Sequence, residues 1–163
     1  MSSVLRRIDE AILMTDRGEY LPALTAFLEI YGTEDSPPLN SAKAASGLSY
    51  FGLCLALVQK KYKAGAELCK RAMGLEFYNG DHYANLARIN MLIGNRKKAL
   101  ETVEAGLKIA PENDALLKVR RELGIRSRPA VPFLGRSHPI NVTIGQARHA
   151  KKVSAAPKRK KKR

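Results

Sequence analysis

The chain has 163 residues, of which 45% are hydrophobic, with four Phe, six Tyr and no Trp. Its core must therefore come from Leu, Ile, Val and Ala, a palette that suits closely packed helices better than a β-sandwich. The formal net charge is +14, but the last 38 residues hold twelve of the 29 Lys and Arg and no acid, which leaves 17 basic against 15 acidic side chains before Arg126 and excludes a uniformly basic fold.

The opening residues Met1-Ser2-Ser3-Val4-Leu5-Arg6-Arg7 run into Asp9 and Glu10 without an apolar core, so a secretion signal is not expected. The most apolar stretch, residues 47–58, is too short to cross a bilayer. The expectation is a cytoplasmic protein with no integral membrane segment. Ala11, Gly18-Glu19-Tyr20, Ala23 and Phe27 read as a first helical pair, with Glu10 at a position where an apolar residue would fit. Asp35-Ser36-Pro37-Pro38 then forces a loop within residues 32–43, because Pro fixes φ and lacks the helical donor.

A second pair follows as Leu48-x-x-Phe51-Gly52 and then Tyr62, Gly65, Cys69 and Ala72, with one extra residue expected in the turn near Lys60-Lys61. Asn79-Gly80-Asp81 is expected to stop one helix in a left-handed conformation and to cap the next. The third pair reads Tyr83-x-x-Leu86-Ala87, Gly94, Ala99-x-x-x-Val103 and Pro111, and its Ala99, Val103 and Gly106 stand 34 residues after Gly65, Cys69 and Ala72. Small residues at Ala87 and Ala99 mark where two backbones approach closely, and Gly106 where the pair meets its neighbour. Leu86, Ile93, Leu100, Val103 and Leu107 fill the gaps at helical spacing. Asn113-Asp114 opens one more helix that ends at Gly124, with Leu116, Leu117, Val119 and Leu123 apolar and Lys118, Arg120, Arg121 and Glu122 polar.

Beyond Gly124 the composition changes. Arg128-Pro129-Ala130-Val131-Pro132-Phe133-Leu134 is extended or turn-like, and either packs back on the helices or serves as a short linear binding segment. From about Ala150 the chain is Lys, Ala, Ser, Pro and Arg, with nothing to bury, and reads as disordered. The expected division is residues 1–124 as a helical domain with its capping helix, 125–150 as a Pro-containing extension and 151–163 as a polybasic tail.

The punctuation of the three pairs resembles that of the tetratricopeptide-repeat (TPR) family over roughly residues 4–124. That resemblance implies an all-α, right-handed superhelix of about three antiparallel helical hairpins plus a C-terminal capping helix. It also implies a non-enzymatic scaffold that holds a protein or peptide partner in a concave groove lined by the first helix of each repeat. Carried over by position, the groove residues are Leu5, Ile8 and Ile12, then Ser49, Leu53 and Ala56, then Ala84, Arg88 and Met91. Two positions of the clamp that some family members use for a chaperone's C-terminal carboxylate are Ile8 and Ile12 here, so that clamp is incomplete. An amphipathic helix or extended apolar peptide fits better. The tail Lys158-Arg159-Lys160-Lys161-Lys162-Arg163 would add electrostatic attachment, to nucleic acid or another polyanion among other possibilities. A nucleic-acid- or ribosome-associated protein acting through the tail is the alternative. A secretion chaperone is a third reading, which the basic tail disfavours.

Catalytic and cofactor motifs are absent from the sequence. His82, His138 and His149 have no partner at ligand spacing, Gly74, Gly80 and Gly94 are isolated, and no Ser elbow appears. Cys54 and Cys69 read as small buried hydrophobes. No enzyme, metal or cofactor is expected.

Overall fold

The computed structural model describes residues 2–32, 41–124, 131, 138–144 and 147. The polybasic tail, all of residues 129–134 except Val131, and most of the loop expected within 32–43 lie outside the described residues. Two units are distinguished, Met1–Gly124 and Ile125–Arg163.

Among its described residues the first unit contains seven α-helices: α1 (Ser2–Asp16), α2 (Tyr20–Tyr31), α3 (Ala42–Val58), α4 (Tyr62–Leu75), α5 (Gly80–Leu92), α6 (Arg96–Ile109) and α7 (Asp114–Leu123). They form three antiparallel hairpins, α1/α2, α3/α4 and α5/α6, closed by α7. Each hairpin turns through three residues whose middle one is left-handed: Gly18 (φ 85°), Lys60 (φ 57°) and Gly94 (φ 76°). Glycine adopts that conformation freely, whereas Lys60 bears a strain of about 1 kcal/mol. The additional residue of the second hairpin does not lengthen its connector. It lies between Leu55 and Lys61, where the closing Lys61 N–H to Leu55 O bond spans six residues, against five for Glu19 to Met14 and Asn95 to Asn90. Helix α3 ends one residue later to absorb it.

Side-chain caps start four helices. Ser41 accepts from the Ala44 N–H (3.2 Å), Asn79 from Asp81 (3.0 Å), Asn95 from Lys98 (3.1 Å) and Asn113 from Leu116 (2.9 Å). The expected left-handed stop at Asn79-Gly80-Asp81 is not formed. Helix α4 ends at Leu75 with Glu76 extended (φ −142°), and Gly80 is the first residue of α5 with no positive φ. Its lack of a side chain serves proximity instead, since a Cβ there would lie 2.7 Å from Asn113 Cγ.

Within the hairpins the small residues sit where the helices touch. Ala11 and Ala23 are fully buried in the first, and Ala87 and Ala99 in the third. In the second the contact is backbone on backbone: a Cβ on Gly52 would lie 2.5 Å from the Gly65 carbonyl oxygen, and one on Gly65 would strike the Gly52 carbonyl. Gly106 meets Tyr83 on α5 and Leu116 on α7, so the third hairpin and the capping helix close on it together. The core continues from Phe27, Tyr50 and Cys54 through Leu53, Cys69 and Ile89 to Val103, Leu116, Val119 and Leu123. Tyr31 stacks on Phe51 (centroids 5.7 Å apart) and donates to the Ala44 carbonyl (2.8 Å), which ties α2 to α3 across their long connection.

In the second unit, residues 139–144 are helical. Asn141 accepts from the Val131 N–H (2.9 Å) and donates to the Val131 carbonyl (3.1 Å), so its amide mimics a strand partner. It is 7% exposed with both amide atoms engaged, as a structural residue.

Because neither glycine can take a methyl without moving backbone, Gly65→Ala is expected to destabilise the protein by about 1–3 kcal/mol. Urea denaturation should show this as a lower midpoint with an unchanged slope. Gly74→Ala, on a helix face with open space at the Cβ position, should be neutral or slightly stabilising by the same measurement.

Candidate functional site

Helices α1, α3, α5 and α7 lie side by side, and their C-terminal ends meet around an open cleft of about 260 Å³. Thr15 and Asp16 reach it from α1 and Tyr20 from the start of α2. Leu53 and Leu57 form its floor from α3, with Arg88, Met91 and Leu92 from α5. The far wall is Lys118 and Glu122 on α7. The lining is thus apolar in the middle and ionic at the sides.

Asp16 feels the balance of those charges. Burial raises its carboxyl above the ordinary range, the Arg88 and Lys118 cations pull it down, and Asp81 pushes it up. Tyr50, beneath the same region, is held well above the usual phenol range by burial and by the charges of Asp81 and Asp16. Arg88 is steered by a hydrogen bond from its guanidinium to the Asn85 side-chain oxygen (3.4 Å). The site can therefore hold an elongated ligand by apolar contact and orient it with two cations and neighbouring carboxylates.

Of the residues expected to face the groove, Leu53, Arg88 and Met91 come together in this cleft. Ile8, Ser49, Ala56 and Ala84 are fully buried between helices, while Ile12 packs half-buried on the first hairpin's core. Ser49 is engaged internally, accepting from the Asn85 amide (3.1 Å). The lining residues that positional carry-over misses are Thr15, Asp16, Tyr20, Leu57, Leu92, Lys118 and Glu122. A signal for most of them is present in the sequence. Thr15, Leu57 and Met91 each stand three residues before the left-handed residue of a connector. Lys118 and Glu122 stand 34 residues after Ala84 and Arg88, as if α7 were the first helix of a fourth repeat.

The buried reactive groups serve packing. Burial raises both thiols, Cys69 to about 12, and the Cys69 S–H donates to the Ser49 carbonyl (3.5 Å). His82 is 0% exposed, with Nε2 3.2 Å from the Glu76 carboxylate and Nδ1 unpartnered. Among the described residues, no group of three His, Cys, Asp or Glu side chains is placed to hold a metal, and no helix is long and apolar enough to cross a membrane.

No protein-family model matches the chain, and no curated protein does. Among solved structures 23 chains match. One is the first TPR domain of Spaghetti (RPAP3), bound to the HSP90 peptide SRMEEVD. The match has a TM-score of 0.54 at 15% identity and covers 74% of this chain and 89% of that one. The likeness is one of fold, and the architecture here is a TPR-type array of three hairpins with a capping helix.

His82 gives this core a pH dependence. Burial lowers its pKa below the ordinary 6.5, against the opposing charge and hydrogen bond of Glu76 and the charge of Asp81. The unfolded chain then takes up a proton near pH 6.5 that the folded chain refuses, so stability is present above that pH and is lost as pH falls below it. The loss approaches about 1.4 kcal/mol per pH unit until the folded-state pKa is reached. Thermal melts between pH 7.5 and 5.5 should show a falling midpoint that His82→Gln flattens.

Proposed function

We propose that this protein is a non-enzymatic scaffold whose cleft between α1, α3, α5 and α7 holds a segment of a partner protein, an amphipathic helix or an extended apolar peptide. The observation that carries the reading is the cleft's lining: Leu53, Leu57, Met91 and Leu92 in the middle, with Arg88 and Lys118 beside Asp16 and Glu122. An extended or helical peptide presents such a surface with alternating apolar anchors and a polar flank. The described TPR domain of RPAP3 holds a peptide, and the arrangement of first helices around a cleft is what the two chains have in common as folds. Arg88 supplies a point of charge recognition, and the neighbouring Asp16 and Glu122 select against ligands that carry many acids. The polybasic tail, Lys158 to Arg163, adds electrostatic attachment to the same partner or its surroundings in this reading. A soluble setting such as the cytoplasm suits it.

The test is selection of peptides from a random displayed library on the full-length protein, with affinities then measured by fluorescence polarisation. Selected peptides should bind Met91→Glu and Leu57→Lys at least tenfold more weakly, while both variants keep the wild-type melting temperature within a few degrees. Arg88→Ala should weaken peptides bearing an acid and leave uncharged ones nearly unaffected. Peptides that bind the two cleft variants as tightly as the wild type would remove the cleft from consideration.

A further inference from the structure

The array's small net charge conceals a strong separation. Helices α1, α3, α5 and α7 end on one edge and α2, α4 and α6 begin there, as the convergence of Asp16, Tyr20, Leu57, Leu92 and Glu122 on one cleft requires. The first connector brings Arg17 to this edge. Lys60, Lys61 and Lys63 come with the second, and Arg96, Lys97 and Lys98 with the third. The end of α7 adds Lys118, Arg120 and Arg121. All ten are exposed. The acids in the same segments are Asp16, Glu19 and Glu122, so the edge carries +7 while the remainder of residues 1–125 carries −5. Among the described residues only Lys97 has a carboxylate within 4.0 Å, Glu101 at 3.9 Å.

The placement of these cations runs against helix electrostatics. A helix N-terminus carries partial positive charge and favours Asp or Glu in its first turn. Helices α5 and α7, which start at the opposite edge, follow that rule with Asp81 and Asp114. Helices α4 and α6 start at the basic edge with no acid in the first turn, and α6 opens on Arg96-Lys97-Lys98. The departure is thus confined to the side where the cations gather, and local rules are broken mainly where a site demands it. Lys60 adds to the pattern as a cation held at positive φ in a connector where the other two hairpins use Gly.

From this we infer that the connector edge is a binding surface for the phosphate backbone of single-stranded nucleic acid. The cations are strung across four neighbouring helices rather than gathered in a pocket, which matches a linear polyanion better than a single anionic group. Tyr20, Tyr62 and Arg96 are the first residues of α2, α4 and α6. They set a flat side chain beside the cations of each connector, and such groups stack on unpaired bases. Leu21 and Ile93, the exposed aliphatic residues here, sit on connectors two hairpins apart, and the most exposed aromatic pair, Phe77 and Tyr78, lies at the opposite edge. A bilayer would thus find no grouped apolar wedge along the strip. The surface is separate from the peptide reading of the cleft and does not depend on it.

The experiment is fluorescence polarisation of labelled 20-mer oligo(U) and oligo(dT) with the full-length protein across a salt series. The triple variant Arg96→Glu/Lys97→Glu/Lys98→Glu should bind at least tenfold more weakly at 100 mM salt. Its slope of log affinity against log salt should fall by about 2, for three lost phosphate contacts. Its melting temperature should stay level or rise, because acids now sit at the start of α6. Lys60→Gln/Lys61→Gln/Lys63→Gln should weaken binding in the same direction. A control that makes the same change in charge elsewhere, Arg6→Glu/Arg71→Glu/Lys108→Glu, should lose less than threefold. The tail is intact in every variant, so its contribution cancels. Equal losses in the control and edge variants would overturn the assignment, as would an edge variant that binds like wild type. Tighter binding to phosphatidylserine vesicles than to oligonucleotide, abolished by the edge variants, would give the surface to membranes instead.

Discussion

The closest contact in the array is the one on which its geometry rests: Gly52 on α3 against Gly65 on α4, backbone to backbone. Two helices that touch without intervening side chains cannot slide or rotate without losing contact along their length, so this pair fixes the middle hairpin tightly. The outer hairpins use Ala at the matching places, Ala11 with Ala23 and Ala87 with Ala99, and so pack a methyl group further apart. The middle hairpin is thus the narrowest unit, and its first helix, α3, runs between α1 and α5. What α3 presents on its open side, Leu53 and Leu57, becomes the floor of the cleft.

Hairpins must also be set against each other, and here polar side chains do what small ones do within a hairpin. Asn85 donates to Ser49, Asn79 to Ser46 (3.2 Å) and Asn113 to Asp81 (2.9 Å), each bond linking neighbouring first helices or the loops before them. An apolar seam would tolerate sliding by a turn, whereas a directed hydrogen bond in a buried seam specifies one register. The register matters for the cleft because its wall is made from four helices, and a shift of one would separate Arg88 from Asp16 and Lys118. The buried His82–Glu76 contact belongs to the same seam and carries its only groups whose protonation changes near neutral pH among the described residues.

The fold was legible because close approach leaves a spacing in the sequence. Gly65, Cys69 and Ala72 recur as Ala99, Val103 and Gly106, and no other arrangement of helices asks for small residues at those intervals. The cleft was less legible for a geometric reason. Positions carried along the first helices from their small residues mark which side faces inward, but helices pack deeply near their N-terminal ends, and Ile8, Ser49 and Ala84 are enclosed there. The cleft opens towards the other end, so counting back from each connector finds Thr15, Leu57 and Met91. Lys118 and Glu122 were hidden by treating α7 as a cap alone, although its residues continue the 34-residue step. The lost stop at Asn79-Gly80-Asp81 has a different cause: sequence shows that Gly is needed, but not whether φ or proximity needs it, and here Asn113 does.

The two ends of the array therefore differ in kind. At one, Asn caps, first-turn acids and interhelical hydrogen bonds satisfy the backbone and agree with the helix dipoles, so that end contributes to stability. At the other, connectors place cations against the dipoles and leave them without carboxylate partners, so that end is held in place by the packing of the first. Such a division assigns stability and recognition to opposite edges of one short array. It also explains how a chain with so few aromatic residues keeps a charged surface strained without loosening the core: the glycine and alanine contacts that set the hairpins lie between the two edges, and neither edge has to supply them.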